Sequence, residues 1–188
     1  PLLHSVLEIE KLQKIFNKKK TQINFLQQNP IDLLWKDQPS YPNSKVFIHK
    51  FKYTGKESSN KIQEFQSILK KKLIDYYLLS SLDSIAWLLN IRGKDIDFTP
   101  LVLCSVIIPQ DGKVQLFIDL SKVTHLINSY SDLIDFHSFE KFDKYLLSIK
   151  IKKSIGMDFK STPFHYKNIA KINGLLVKNL ENRLDQNK

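Results

Sequence analysis

The stretch Ser80-Ser81-Leu82-Asp83-Ser84-Ile85-Ala86-Trp87-Leu88-Leu89-Asn90-Ile91-Arg92-Gly93-Lys94-Asp95-Ile96 decides the reading of the whole chain. It follows an apolar run, Asp75-Tyr76-Tyr77-Leu78-Leu79, that reads as a buried strand. Ile85, Leu88 and Leu89 recur at helical spacing and form one apolar side, with Trp87 nearby. Ser81 or Asp83 is placed to cap this short helix by accepting hydrogen bonds from its free backbone N–H groups. Gly93 is expected to end it, because a residue without Cβ takes positive φ at little cost. The polar loop beyond, with Asn90, Arg92, Gly93 and Asp95, leaves the element where ligand contacts commonly lie.

Outward from this stretch, strands and helices alternate. Val46-Phe47-Ile48 reads as a short strand, and Ser58 or Ser59 opens a helix to about Lys72 with Ile62, Phe65, Ile68 and Leu69 on one face. Leu101 to Ile108 is a continuous apolar run, as expected of a central strand buried on both sides. Gln110-Asp111-Gly112-Lys113 is a hairpin signal, closed by Val114-Gln115-Leu116-Phe117-Ile118. Ser121 is expected to cap a short helix, Asp132–Phe136 to be a strand, Ser138–Ile149 a helix, and Ser154–Asp158 the last regular strand. Thr162-Pro163 then opens a helix to about Ile172. The hairpin makes one pair antiparallel, so the expected fold is α/β, a three-layer mixed β-sheet flanked by helices.

Before this core, Leu3, Val6, Leu7, Ile9, Leu12 and Phe16 give an amphipathic helix ended by Lys18-Lys19-Lys20. Thr21–Leu26 reads as a short strand or a helical extension. Asn29 is a natural cap with Pro30 at the first helical position, and Pro39 and Pro42 mark a linker. The division is 1–38, a tail of a preceding domain with a linker helix; 39–174, the α/β domain; and 175–188, a lead-in to a further domain. The first residue, Pro1, reads as the start of a piece of a longer polypeptide.

The motif carries a resemblance. Leu82 to Ile96, followed by Pro100-Leu101-Val102, resembles a segment in the middle domain of three-domain Xaa-Pro aminopeptidases, relatives of creatinase and prolidase. Asn29-Pro30-Ile31-Asp32-Leu33-Leu34-Trp35 and Trp35-Lys36-Asp37-Gln38-Pro39 resemble that family's linker region. Departures are Ser84 for an acidic residue, Ser105 for an aromatic and Gln38 for arginine. The likeness covers about Asn29 to Asn173 and implies the creatinase/prolidase N-terminal-domain fold. It also implies a parent hydrolase that removes an N-terminal residue preceding proline. That chemistry uses two divalent ions, Mn or Zn, held by two Asp, one His and two Glu in a separate catalytic domain. None of those ligand segments occurs before Lys188, so no catalytic and no metal residue is assigned, and the chain is expected to be inactive by itself. The resemblance makes the catalytic domain of the same polypeptide the partner, and Asn90, Arg92, Gly93 and Asp95 the substrate-entrance candidates through which a peptide passes.

Composition weighs the rivals. The net charge of +10 invites a nucleic-acid reading, but Arg92 and Arg183 are the only arginines among 29 basic residues. Readers of bases and phosphates favour the arginine fork, so nucleic-acid binding is disfavoured. The same bias makes Arg92 notable, either as a substrate contact or as a bridge to Asp95 or a backbone carbonyl. His4, His49, His125, His137 and His165 show no metal-ligand spacing, and no glycine-rich phosphate loop or nucleophile elbow is present. Cys104, the single cysteine, excludes an internal disulfide and lies in an apolar run, which fits an inert buried thiol in a cytoplasmic protein. No apolar run is long enough to span a bilayer and no signal-peptide pattern is read. The alternative from another class is a stand-alone interaction module, a homodimer formed through the Leu3–Phe16 face or an open sheet edge.

Overall fold

The computed structural model describes residues 2–26 and 29–182. Its centre is a six-stranded sheet in the order β6-β5-β4-β2-β7-β8. The strands are β2 (Tyr76–Leu79), β4 (Ser105–Pro109), β5 (Val114–Phe117), β6 (Ile134–His137), β7 (Ser154–Met157) and β8 (Leu176–Asn179). β4 runs antiparallel to both β2 and β5. β5 pairs parallel with β6, β2 with β7, and β7 with β8. The sheet is therefore mixed, as expected.

Both faces are covered, which explains the continuous apolar runs. Tyr77, Leu79, Val106, Ile108, Val114 and Leu116 enter one core cluster, while Leu78, Ile107 and Phe117 enter the other. A strand of period two that is buried on both sides has no polar alternation left to show. The first face is packed by α4 (Ser58–Lys71), α5 (Leu82–Leu89) and α6 (Ile127–Tyr130), the second by α7 (Phe142–Ser148) and α8 (Phe164–Ile172). Cys104 is 5% exposed in the first cluster, and burial first, then Asp95, pushes its thiol up to about 12.

Two further strands, β1 (Phe47–Ile48) and β3 (Ile91–Arg92), form a separate antiparallel pair, Phe47 facing Arg92. α3 (Phe51–Thr54) follows β1. The first helix, α1, spans Val6–Lys18 and opens on a reciprocal capping box between Ser5 and Glu8. It is tied to the sheet domain: Val6 N donates to Thr162 O at 2.9 Å, and Val6 and Ile9 are buried. Leu3, placed on its apolar face by the sequence, lies outside the helix and is 83% exposed. α2 (Pro30–Leu34) is capped as expected, Asn29 Oδ1 accepting from Ile31 N at 3.1 Å.

Several expectations are corrected. Residues 21–26 form no regular element. α4 is preceded by Glu57 in the cap position, with Ser58 already helical and buried, so neither serine caps it. Ser121 lies inside a 3₁₀ turn, Leu120–Lys122, whose cap is Asp119; the carboxylate reaches Ser121 N, leaving the serine no N-terminal role. The helix expected from Ser138 begins as a 3₁₀ turn, Phe139–Lys141, before α7. The strand read from Leu101 starts only at Ser105, because residues 101–103 are bonded to the loop at 93–95 instead of a strand ladder. Ser154–Asp158 is not the last strand. β8 adds a parallel edge beside β7, so the sheet runs past the boundary expected at 174; of the lead-in at 175–188, positions 183–188, Arg183 included, lie outside the described residues.

Candidate functional site

The candidate segment begins where α5 ends. Ser81 occupies the cap position, but its hydroxyl bonds the Asp83 carboxylate and lies 3.2 Å from Ser84 Oγ, so it does not cap the backbone as the sequence suggested. Ile85, Leu88 and Leu89 are buried, and Trp87 packs against the same cluster. The residue that turns the chain out of the helix is Asn90, with φ 53° and ψ 38°. Asparagine tolerates this left-handed conformation better than most residues. Gly93 is not left-handed. It is needed for a close approach: a Cβ there would meet Val102 Cγ2 at 2.5 Å and Leu101 O at 3.3 Å. The sequence located a glycine correctly and assigned it the wrong reason.

A helix leaves its last carbonyls without intrahelical partners, and here side chains supply them. Arg92 Nη1 donates to Ala86 O at 2.6 Å and to Ile91 O at 2.8 Å. Lys61 Nζ, from α4, donates to Trp87 O at 2.8 Å and to Asn90 Oδ1 at 2.6 Å, and sits 4.3 Å from the centre of the Trp87 ring. The Tyr130 hydroxyl donates to Leu89 O at 3.1 Å. Asn90 is buried, its Nδ2 donating to Lys56 O and its carbonyl accepting from His49 N. Two cations at the negative end of a helix are also favoured by its dipole. Burial first, then the charges of Arg92 and Lys56, pulls the Lys61 amine down to about 8, and burial lowers Arg92.

Asp95 faces other partners. Its Oδ2 accepts from Lys122 Nζ at 2.7 Å and Leu103 N at 2.8 Å, and its Oδ1 accepts from Ser44 Oγ at 3.1 Å. The side chains are 0% and 3% exposed, so this is a closed internal ion pair. Arg92 thus bridges backbone carbonyls while Asp95 anchors the loop to the segment entering β4. The four candidates share one connection but make two separate constellations: Asn90 and Arg92 on the end of α5, Gly93 and Asp95 against residues 101–103.

Lys61 and Lys122 were missed by sequence reasoning. Lys61 did leave a trace: it lies four residues before Phe65 and eight before Leu69, in line with the buried stripe of α4. Lys122 left none. Among the described residues no group of three or more His, Cys, Asp or Glu side chains could hold a metal ion. Among the described residues no helix is long and apolar enough to cross a membrane.

A six-stranded mixed sheet with helices on both faces and a helix–turn–strand motif closed by Arg92 defines an α/β domain. The chain belongs to the Creatinase/Prolidase N-terminal domain family, which it matches over residues 37–182. It is 35% identical over 179 residues to Xaa-Pro aminopeptidase 1 of Dictyostelium discoideum, which covers 90% of this chain and 28% of that protein. It is 33% identical over 145 residues to aminopeptidase P2 of Arabidopsis thaliana, covering 73% of this chain and 20% of that one. The chain therefore spans between a fifth and just over a quarter of the length of these relatives. A solved X-prolyl aminopeptidase from Caenorhabditis elegans, described as a cytosolic enzyme with a di-nuclear active site, superposes with a TM-score of 0.83 at 20% identity. That match covers 98% of this chain and 32% of the worm enzyme, and shows the shared fold.

Proposed function

We propose that this chain is a noncatalytic domain of an Xaa-Pro aminopeptidase-like metallopeptidase. It packs beside the catalytic domain of the same polypeptide, and the Asn90–Asp95 connection walls the entrance through which a peptide reaches the metal centre. The parent reaction is hydrolysis of an N-terminal residue preceding proline, at two divalent metal ions held elsewhere in the polypeptide. The observation that carries this reading is the match to Xaa-Pro aminopeptidase 1 over 90% of the chain, with the chain accounting for only 28% of that relative.

Arg92 is the residue best suited to the entrance. Its Nη1 holds the end of α5, and Nε and Nη2 of the same five-donor fork are the donors proposed for a carbonyl or carboxylate. Lysine at this position keeps a cation near the helix end but loses the planar fork. In the longer polypeptide, loaded with Mn²⁺ and assayed on an Xaa-Pro peptide well below the melting temperature of either protein, Arg92→Lys is expected to raise KM about tenfold. An unchanged KM overturns the entrance role. The 188-residue chain alone is expected to show no turnover; chelator-sensitive turnover by it overturns the noncatalytic reading.

A further inference from the structure

We propose that the crevice beyond the carboxyl ends of β5 and β6 is a binding site for an amphipathic primary amine: a protonated amino group carried on an apolar or aromatic body.

The position is dictated by topology. β5 and β6 are adjacent and parallel, so their carboxyl ends lie together. The chain leaving β5 packs Val123, Leu126 and Tyr130 on the first face of the sheet, and the chain leaving β6 packs Phe142 and Leu146 on the second. Two parallel neighbours whose connections depart to opposite faces leave a crevice between them, the usual ligand position in open α/β sheets. A cavity of about 450 Å³ occupies that place, walled by Asp119 and Leu120 after β5, by Phe139 and Glu140 after β6, and by Tyr41 and Leu103 opposite. This volume is in the range of small-molecule sites, roughly 300–1,000 Å³.

The lining selects the ligand's chemistry. Lys122 also reaches the cavity, but its ammonium is bound to buried Asp95 at 2.7 Å, so its charge is already neutralised. The other charged residues lining the cavity are Asp119 and Glu140, both acidic, in a chain of net charge +10. Asp119 is held ionised by hydrogen bonds from the Ser121 hydroxyl at 2.7 Å and the Ser121 backbone at 2.9 Å. Around them stand Tyr41, Leu120 and Phe139, respectively 85%, 36% and 43% exposed, whose apolar surface a ligand would remove from water. An anion would be repelled by this pair, and an uncharged apolar body would bury two carboxylates without partners. An ammonium head with an apolar tail satisfies both halves. The inference uses none of the peptidase reading, so each stands or falls separately. The amine has two sources, the free N-terminus of a short peptide or a small free amine.

Isothermal titration of the 188-residue chain with Phe-Leu-NH₂, its N-acetylated form and phenethylamine separates them. Saturable binding of at least one amine is expected at a dissociation constant of order 10⁻⁴ M, a value suited to a ligand of this size, with the acetylated dipeptide at least about tenfold weaker. Binding of the dipeptide amide alone assigns peptide N-termini, and binding of phenethylamine as well assigns amines generally. Asp119→Asn retains the oxygen that Ser121 bonds, and with Glu140→Gln it is expected to weaken the amine more than about tenfold while far-UV circular dichroism is unchanged. Tyr41→Ala, on an exposed wall, weakens it several-fold. No saturable binding of either amine below about 10 mM, equal binding of the acetylated form, or indifference to the carboxylate pair overturns the proposal.

Discussion

Lys61 Nζ lies 2.6 Å from Asn90 Oδ1, and through this contact α4 holds the left-handed residue that ends α5. Lys61 is 2% exposed, and its Nζ meets the neutral oxygens of Trp87 and Asn90 and the face of the Trp87 ring. Such a site favours the uncharged amine more than water does.

Stability should therefore depend on pH through Lys61. Its amine titrates near 8 in the folded chain against an ordinary value of 10.5. Between those values the unfolded chain binds more protons, so stability rises with pH across the window and the charged form weakens the fold below it. Urea unfolding of the chain and of Lys61→Met is expected to diverge by about 2–3 kcal/mol in favour of the unsubstituted chain between pH 7 and pH 10. A constant difference would show that the amine keeps its ordinary affinity for protons.

The Asp95–Lys122 pair gives a second expectation. Removing the carboxylate leaves a buried ammonium and frees Leu103 N and Ser44 Oγ. Asp95→Ala should cost about 3–5 kcal/mol. Adding Lys122→Met should restore a large part of this, because the stranded charge is then gone. Denaturant unfolding of the two single variants and the double variant measures the coupling; additive losses would mean that the pair contributes nothing as a pair.

Gly93→Ala gives a third. The new Cβ would stand 2.5 Å from Val102 Cγ2, at a backbone conformation that alanine otherwise accepts. The expected loss is about 1–3 kcal/mol from overpacking. In a Val102→Ala background the same substitution should cost less than half as much, since the obstructing methyl is absent. An equal cost in both backgrounds would place the strain elsewhere.

The sequence determined by itself whatever rests on neighbours in the chain. Asn29 followed by Pro30 specified the start of α2, Asp111-Gly112 the turn between β4 and β5, and the long apolar runs a sheet buried on both faces. These depend on caps, turn conformations and period-two patterning, all local properties. The 80–96 motif likewise carried the family. What it did not carry was the purpose of its own residues. Whether Gly93 serves φ or space depends on where Val102 arrives, and that Arg92 meets Ala86 O while Lys122 meets Asp95 depends on where α5 and residue 122 lie in space. β8, with its mostly exposed residues, becomes a strand because β7 offers it a free edge. Lys61 and Asn90 are 29 positions apart, and the crevice at β5 and β6 draws its walls from four separate stretches of chain. Only tertiary structure decided these, because contact energies depend on distance in space, which for such pairs the order of residues leaves open.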